Sequence, residues 1–129
     1  MKIGAPKESA RGEARVALTP ESAKQIQKLG HECLVESGAG LAAGFNDDTY
    51  RDAGVTVVEG ADALWKDADV VIKVREPSDE EAERLRQGQT LIAFFWPAQN
   101  EALLEKCKSQ GATVIAMDMV PRISRAQKM

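Results

Sequence analysis

Short runs of aliphatic and β-branched residues alternate with helical segments along the whole chain, and this alternation restricts the folds that it can adopt. The runs 70–72 and 91–95 lack polar alternation, as expected of strands that are buried on both faces. Six segments are expected to be strands: 2–5, 31–36, 55–59, 69–74, 90–95 and 113–117. The sequence therefore predicts the α/β class, with an open parallel sheet and helices on both faces, either Rossmann-like or flavodoxin-like.

Residues that favour helix ends stand between the predicted strands. Thr19 and Pro20 are typical of the start of a helix, and Gly30 is typical of the end of the same helix. The segment 78–81, Ser-Asp-Glu-Glu, matches a capping box, and its charges are expected to lie mostly on a solvated face. Asn100 is predicted to cap a further helix.

Composition narrows the class of protein further. The chain has 129 residues, 43% of them hydrophobic, with 17 Lys and Arg against 20 Asp and Glu. These values are typical of one soluble domain and argue against a disordered or nucleic-acid-binding protein. No apolar run is long enough for a membrane span or a signal peptide, so a cytoplasmic location is expected. Cys33 and Cys107 are interpreted as buried thiols, and neither a disulfide nor a metal site is predicted.

Basic residues follow two of the predicted strands. Arg15 lies in the loop after the first strand, and Lys73 and Arg75 end the fourth strand on a shared face. Because ligands of open parallel sheets bind outside the carboxyl ends of the strands, Arg15 and Arg75 are predicted to reach one crevice and to hold a carboxylate or phosphate there. A structural ion pair of Arg15 with Glu8 or Glu13 is an equal alternative. An alternating pattern of surface charge would also explain positions 73 and 75.

Other patterns are interpreted as structural. The glycines in segment 38–44 follow a strand, but the third is one position late for a dinucleotide fingerprint, so this segment is predicted to be a turn. A phosphoacceptor receiver domain needs an acidic pair after the first strand. This chain has Pro6 and Lys7 there, so that class of protein is excluded. His31, the one histidine, opens a strand beside no evident nucleophile and is interpreted as structural.

Five motifs in chain order carry a resemblance to a known family. They are the segments 13–20 (EARVALTP), 36–40 (ESGAG), 73–77 (KVREP), 96–100 (WPAQN) and 117–127 (MDMVPRISRAQ). In this combination the chain resembles the N-terminal region of the alpha subunit of proton-translocating NAD(P) transhydrogenase, and it is more distantly similar to alanine dehydrogenase. The resemblance places residues 1–129 in the N-terminal domain of that family, truncated before the NAD-binding Rossmann domain.

The resemblance also implies a function. It implies an enzyme complex on the inner face of the cell membrane that moves hydride between NADH and NADP and translocates protons. NAD would be the cofactor of this subunit, which would form a homodimer, and the partners would be NADP-binding and membrane-spanning subunits. Arg122, Gln127 and Lys128 would bind the cofactor in a loop near its nicotinamide end. No catalytic residue is assigned, and the chain alone is expected to be inactive.

Two further functions remain open. For an alanine dehydrogenase, the resemblance implies that Arg15 holds the substrate carboxylate and that Arg75 takes the place of a lysine that contacts the keto group. Trp96, however, stands where those enzymes keep an acid–base histidine. Without a group that titrates near neutral pH, amine-to-ketone chemistry lacks its proton carrier. The other alternative is a noncatalytic interaction domain that retains the fold.

Overall fold

The computed structural model describes residues 1–8, 13–95 and 100–117. Within these residues strands and helices alternate, and every strand lies inside its predicted segment. The strands are β1 (Lys2–Ala5), β2 (Glu32–Glu36), β3 (Thr56–Val58), β4 (Val70–Ile72), β5 (Thr90–Ala93) and β6 (Thr113–Ala116). The helices are α1 (Pro20–Lys28), α2 (Asp47–Asp52), α3 (Ala61–Asp67), α4 (Asp79–Arg84) and α5 (Glu101–Ser109). None of these described helices has the length and apolar composition that crossing a bilayer requires.

The six strands are all parallel and lie in the order β3-β2-β1-β4-β5-β6. This is the Rossmann order and not the flavodoxin order, so the structure decides between the two predicted arrangements. The strand order reverses between β1 and β4, where Ile3 pairs with Val70 and Gly4 with Val71. In such sheets ligands bind beyond the carboxyl ends of the strands at this switch point, which directs attention to the segments that follow β1 and β4.

Helices cover both faces of the sheet, as predicted. Ala23 of α1 and Tyr50 of α2 belong to the core on one face, whereas Trp65 of α3 belongs to the core on the other face, together with residues of α4 and α5. Cys33 and Cys107 are buried in these two cores, which confirms their prediction as buried thiols. Burial raises the pKa of Cys107 to about 11, so its thiol stays protonated at neutral pH.

The predicted caps of α1 and α4 are confirmed, whereas the predicted side-chain cap of α5 is wrong. Ser78 and Glu81 form a capping box in α4, since the Ser78 Oγ accepts the N–H of Glu81 at 3.2 Å and the Glu81 carboxylate accepts the N–H of Ser78 at 2.9 Å. Thr19, the residue before α1, caps that helix through equivalent hydrogen bonds with Ser22. Asn100 precedes α5, but its side chain makes no capping hydrogen bond. Its Nδ2 instead donates to the carbonyl of Phe95 at 2.8 Å and ties the start of α5 to the end of β5.

Two glycines allow close approaches that any larger residue would prevent. A Cβ on Gly4 would lie 2.9 Å from the Cβ of Ala68, so glycine in β1 lets α3 pack directly on the sheet. The segment 38–44 is a turn, as predicted, and includes a short 3₁₀ helix, Leu41–Ala43. A Cβ on Gly40 would lie 2.7 Å from the ring of Tyr50. Packing therefore accounts for glycine at position 40.

Candidate functional site

The segments that follow β1 and β4 meet at the switch point, and a buried ion cluster lies between them. The Nζ of Lys73 is 3.1 Å from Oε1 of Glu8 and 3.4 Å from Oε2 of Glu81. The side chains of Lys73 and Glu8 are only 1% and 2% exposed. Glu8 also accepts hydrogen bonds from the backbone N–H groups of Val74, at 2.8 Å, and Arg75, at 3.2 Å. The cluster thus joins the chain after β1, the chain after β4, and α4.

This cluster corrects one prediction and adds a detail to another. Because β4 ends at Ile72, Lys73 and Arg75 do not lie on a strand, and the alternation of a strand does not place them on a shared face. Lys73 enters the buried cluster, whereas Arg75 lies beside Arg15 at a cavity. The charges of segment 78–81 lie mostly on a solvated face, as predicted, since Asp79 and Glu80 are exposed, whereas Glu81 is buried beside Lys73.

Arg15 and Arg75 come together, as predicted, and both face the carboxylate of Glu13. Glu13 accepts two hydrogen bonds from the Arg15 guanidinium, from Nε at 2.8 Å and from Nη2 at 2.9 Å, and its Oε1 is 3.9 Å from Nη1 of Arg75. The hydrogen bonds from Arg15 lower the pKa of Glu13 from 4.5 to about 2. The predicted structural ion pair of Arg15 is therefore confirmed, with Glu13 and not Glu8 as its partner.

A cavity of about 180 Å³ lies beside this pair and is lined by Arg15, Val74, Arg75 and Phe94. The Arg15 side chain is 69% exposed and that of Arg75 is 36% exposed, so a ligand can reach both guanidiniums. The buried Nε of Arg75 has no hydrogen-bond acceptor among the described residues. Guanidinium groups in this arrangement suit a small carboxylate or phosphate. None of the described lining residues is a His or a carboxylic acid.

A second cavity, of about 290 Å³, opens at the same edge of the sheet. Its lining is mainly charged and consists of Lys7, Glu8, Glu36, Ala61, Ser78, Glu80, Glu81 and Arg84. Several of these charges are held by other parts of the chain, since Glu36 accepts the backbone N–H of Lys7 at 2.8 Å and Arg84 donates to Asp62 at 2.6 Å. Across the described ranges, no three His, Cys, Asp or Glu side chains are placed to hold a metal ion.

Four predicted residues lie outside the described part of the chain, and the contact of Glu8 with Lys73 was not predicted. Arg122, Gln127, Lys128 and Trp96 lie outside the described residues. Glu8 was considered only as a partner of Arg15, and its contact with Lys73 was missed because the two are 65 positions apart in the chain. The signal that could have found this contact is positional, since Glu8 lies three residues after β1 and Lys73 directly follows β4, and these strands are neighbours in a Rossmann order.

The fold and the site together define a class: a doubly wound α/β domain with Rossmann strand order and an arginine-lined cavity at the carboxyl edge of its sheet. Within this class, the chain belongs to the alanine dehydrogenase/PNT N-terminal domain family, whose model matches residues 4–129. This match confirms the family resemblance predicted from the five motifs.

Individual relatives support the same family. The chain is 68% identical over 129 residues to NAD(P) transhydrogenase subunit alpha of Cereibacter sphaeroides, covering 100% of this chain and 25% of that subunit. It is 41% identical over 120 residues to alanine dehydrogenase of Halomonas elongata, covering 93% of this chain and 32% of that enzyme. The crystal structure of transhydrogenase from Sinorhizobium meliloti matches with a TM-score of 0.90 at 41% identity, covering 100% of this chain and 38% of that chain. The chain thus spans about a quarter to a third of the length of these curated relatives.

Proposed function

We propose that this chain is the N-terminal domain of the NAD(H)-binding alpha subunit of an NAD(P) transhydrogenase. The complete complex would move hydride between NADH and NADP and couple this transfer to proton translocation. The observation that carries the proposal is the 68% identity to a transhydrogenase alpha subunit across all 129 residues, against 41% to an alanine dehydrogenase over 120 residues. The difference favours the first activity within a family that includes both.

The chemistry proposed for the complex requires little of this domain except positioning. Cofactors carry hydride chemistry, and the protein binds and orients them. The sequence carries no dinucleotide fingerprint in segment 38–44, because the third glycine there is one position late. We therefore assign NAD contacts to Arg122, Gln127 and Lys128 together with chain beyond this domain, and NADP to a partner subunit. On this proposal the 129-residue chain by itself does not catalyse hydride transfer.

The proposed setting follows from the same assignment. The domain would lie on the cytoplasmic side of the cell membrane, in a homodimer of alpha subunits docked on NADP-binding and membrane-spanning subunits. The name of the Cereibacter relative, a subunit alpha, supports the presence of further subunits.

An alanine dehydrogenase is the second candidate, because the cavity beside Arg15 and Arg75 has the size and charge for a small carboxylate. Two observations oppose it. Glu13 already engages the guanidinium of Arg15 through two hydrogen bonds. Trp96 in place of an acid–base histidine would leave substrate deprotonation without a proton carrier.

A pair of chimaeras separates the two functions. In the first, this chain replaces the matching segment of the Cereibacter sphaeroides alpha subunit, and in the second, the matching segment of the Halomonas elongata alanine dehydrogenase. We expect the first to transfer hydride from NADH to NADP within about tenfold of the parent rate, and the second to lose alanine-dependent NAD reduction. Alanine oxidation by the second, together with no hydride transfer by the first, would reverse the assignment.

The first chimaera also tests the proposed cofactor residues. Replacing Arg122, Gln127 or Lys128 by Ala is expected to slow hydride transfer roughly tenfold or more while leaving the unfolding temperature almost unchanged, because a misplaced cofactor loses its reactive geometry. Arg51→Ala, at an exposed position in α2, is the matched control. Parental turnover in all three variants would remove these residues from the site.

A further inference from the structure

The carboxylate of Glu8 occupies a position where a doubly wound sheet normally receives a ligand. Glu8 comes three residues after the end of β1, at the switch point with β4. Its Oε2 accepts the N–H of Val74 at 2.8 Å, and its Oε1 accepts the N–H of Arg75 at 3.2 Å and the ammonium of Lys73 at 3.1 Å. Three donors from one short segment thus converge on a single carboxylate.

Such a set of donors has the composition of an anion site. Successive backbone N–H groups that point at one spot, with a cation beside them, bind phosphates and carboxylates in many proteins. Here the side chain of Glu8 is only 2% exposed, so the occupant is part of the protein and water does not screen its contacts. An external phosphate would meet this buried negative charge and would have to displace it.

The same segment carries Arg75 to the cavity. The backbone N–H of Arg75 is held by Glu8, while its guanidinium lies 3.9 Å from Glu13 and lines the cavity with Arg15. Arg15 is held by Glu13 through hydrogen bonds that do not involve Glu8. Glu13 thus contacts the guanidiniums of both arginines, whereas Glu8 accepts a hydrogen bond from the backbone of Arg75 alone.

We propose that Glu8 is a positioning residue whose carboxylate acts as an internal anion. It fills the switch point, holds segment 73–75 and so places Arg75 beside Arg15 at the cavity. A consequence is that the phosphates of a dinucleotide do not bind at this switch point. This inference stands apart from the proposed hydride transfer, because its test uses the 129-residue chain without any cofactor.

The first measurement is amide hydrogen exchange by NMR at Val74 and Arg75. In Glu8→Ala we expect both amides to exchange about tenfold faster or more than in the unmodified chain, since their charged acceptor is gone. Sodium formate should restore protection, because a free carboxylate can take the vacated place, whereas sodium chloride at equal ionic strength should not. Rescue by formate is the readout that a purely structural role of Glu8 would not give.

The second measurement follows the Arg75 guanidinium itself. Labelling with an arginine-specific dicarbonyl reagent, located by mass spectrometry, should become several-fold faster at Arg75 in Glu8→Ala and return towards the original rate in formate. Arg51, in an exposed ion pair of α2, should keep its rate and serves as the internal reference. Glu36→Ala is the matched control, because it removes a carboxylate that accepts a backbone N–H at the same edge, from Lys7, but does not touch segment 73–75.

The isosteric variant Glu8→Gln decides the matter if Glu8→Ala does not fold. It keeps the volume of the side chain and removes its charge, so the amides of Val74 and Arg75 should lose protection if the internal anion is what holds them. Original protection and original Arg75 labelling in Glu8→Gln would overturn the proposal. Loss of protection in Glu8→Ala that formate does not reverse would overturn it as well.

Discussion

Single carboxylates at the carboxyl edge of the sheet hold nearby groups in place by accepting their hydrogen bonds. Glu13 illustrates this, since its two hydrogen bonds with Arg15 form the parallel, bidentate arrangement that fixes a guanidinium in one orientation. A neighbouring cation, Arg75, lies within reach of the same carboxylate. The position of one carboxylate therefore influences how both arginines present their charge to the cavity.

The lowered pKa of Glu13 predicts a dependence of stability on pH. Its folded-state pKa of about 2 lies below the ordinary value of 4.5, so the ionised form stabilises the fold at neutral pH and this contribution disappears as the pH falls from about 4.5 to about 2. Glu13→Gln should be less stable than the unmodified chain by roughly 1 kcal/mol at pH 7, a modest value because Arg15 is largely exposed and water screens the pair. Urea unfolding at a series of pH values measures the difference.

The difference between the two proteins should shrink below about pH 4.5 and vanish near pH 2. Asp48→Asn, which removes a carboxylate from an exposed pair with Arg51, is the control and should change stability little at any pH. A Glu13→Gln difference that stays constant from pH 7 to pH 2 would contradict the assigned cause.

At the scale of elements, the end of α3 depends on a side chain from another part of the chain. Gln89 is fully buried just before β5, and its Nε2 donates to the carbonyls of Trp65 at 2.6 Å and Ala68 at 2.8 Å. Its Oε1 accepts the N–H of Arg86 at 3.2 Å. A helix end leaves carbonyl groups without partners inside the helix, and here a glutamine satisfies two carbonyls at the end of α3.

Replacing this glutamine should therefore destabilise the domain. Gln89→Leu keeps a similar volume but leaves the carbonyl of Trp65 and the N–H of Arg86 without this partner in the protein interior, which should cost about 2 kcal/mol or more. Thermal unfolding followed by circular dichroism measures the loss. Gln25→Leu, at an exposed position of α1, should stay within about 0.5 kcal/mol of the original chain. Equal stability of the two variants would show that the α3 contacts contribute nothing.

At the scale of the whole molecule, Lys73 connects parts of the chain that are distant in sequence. Its ammonium lies between Glu8, which follows β1, and Glu81 of α4. A buried cation between two carboxylates cannot be removed without leaving negative charge unpaired, and that loss costs far more than the loss of a surface pair. Lys73 therefore links the segment after β1 to α4, which follows β4, across the switch point.

Lys73→Met should accordingly be among the most harmful substitutions in the domain. The methionine fills much of the same space but leaves two buried carboxylates without their cation, so we expect a loss of about 3–5 kcal/mol in the free energy of unfolding. Denaturant unfolding measures this value, with Lys66→Met at an exposed position of α3 as the control. A loss below about 1 kcal/mol would mean that the cluster is not the connection we describe.

The sequence by itself determined the local features. The six strands, the starts of α1 and α4 at Thr19 and Ser78, and the buried thiols were all predicted, because periodicity, capping and apolar composition act within a few neighbouring residues. The motifs also identified the family. The sequence also predicted that Arg15 and Arg75 lie at the same edge of the sheet, because both follow strands of a parallel sheet.

Only the tertiary structure decided the strand order and the partners of the charges. The Rossmann order sets β1 beside β4, which brings Glu8 within 3.1 Å of Lys73 although 65 positions separate them. It also buries Glu81, whose capping position in α4 could equally have faced water. Charge pairing of this kind depends on which elements become neighbours in space, and the local sequence pattern does not determine those neighbours.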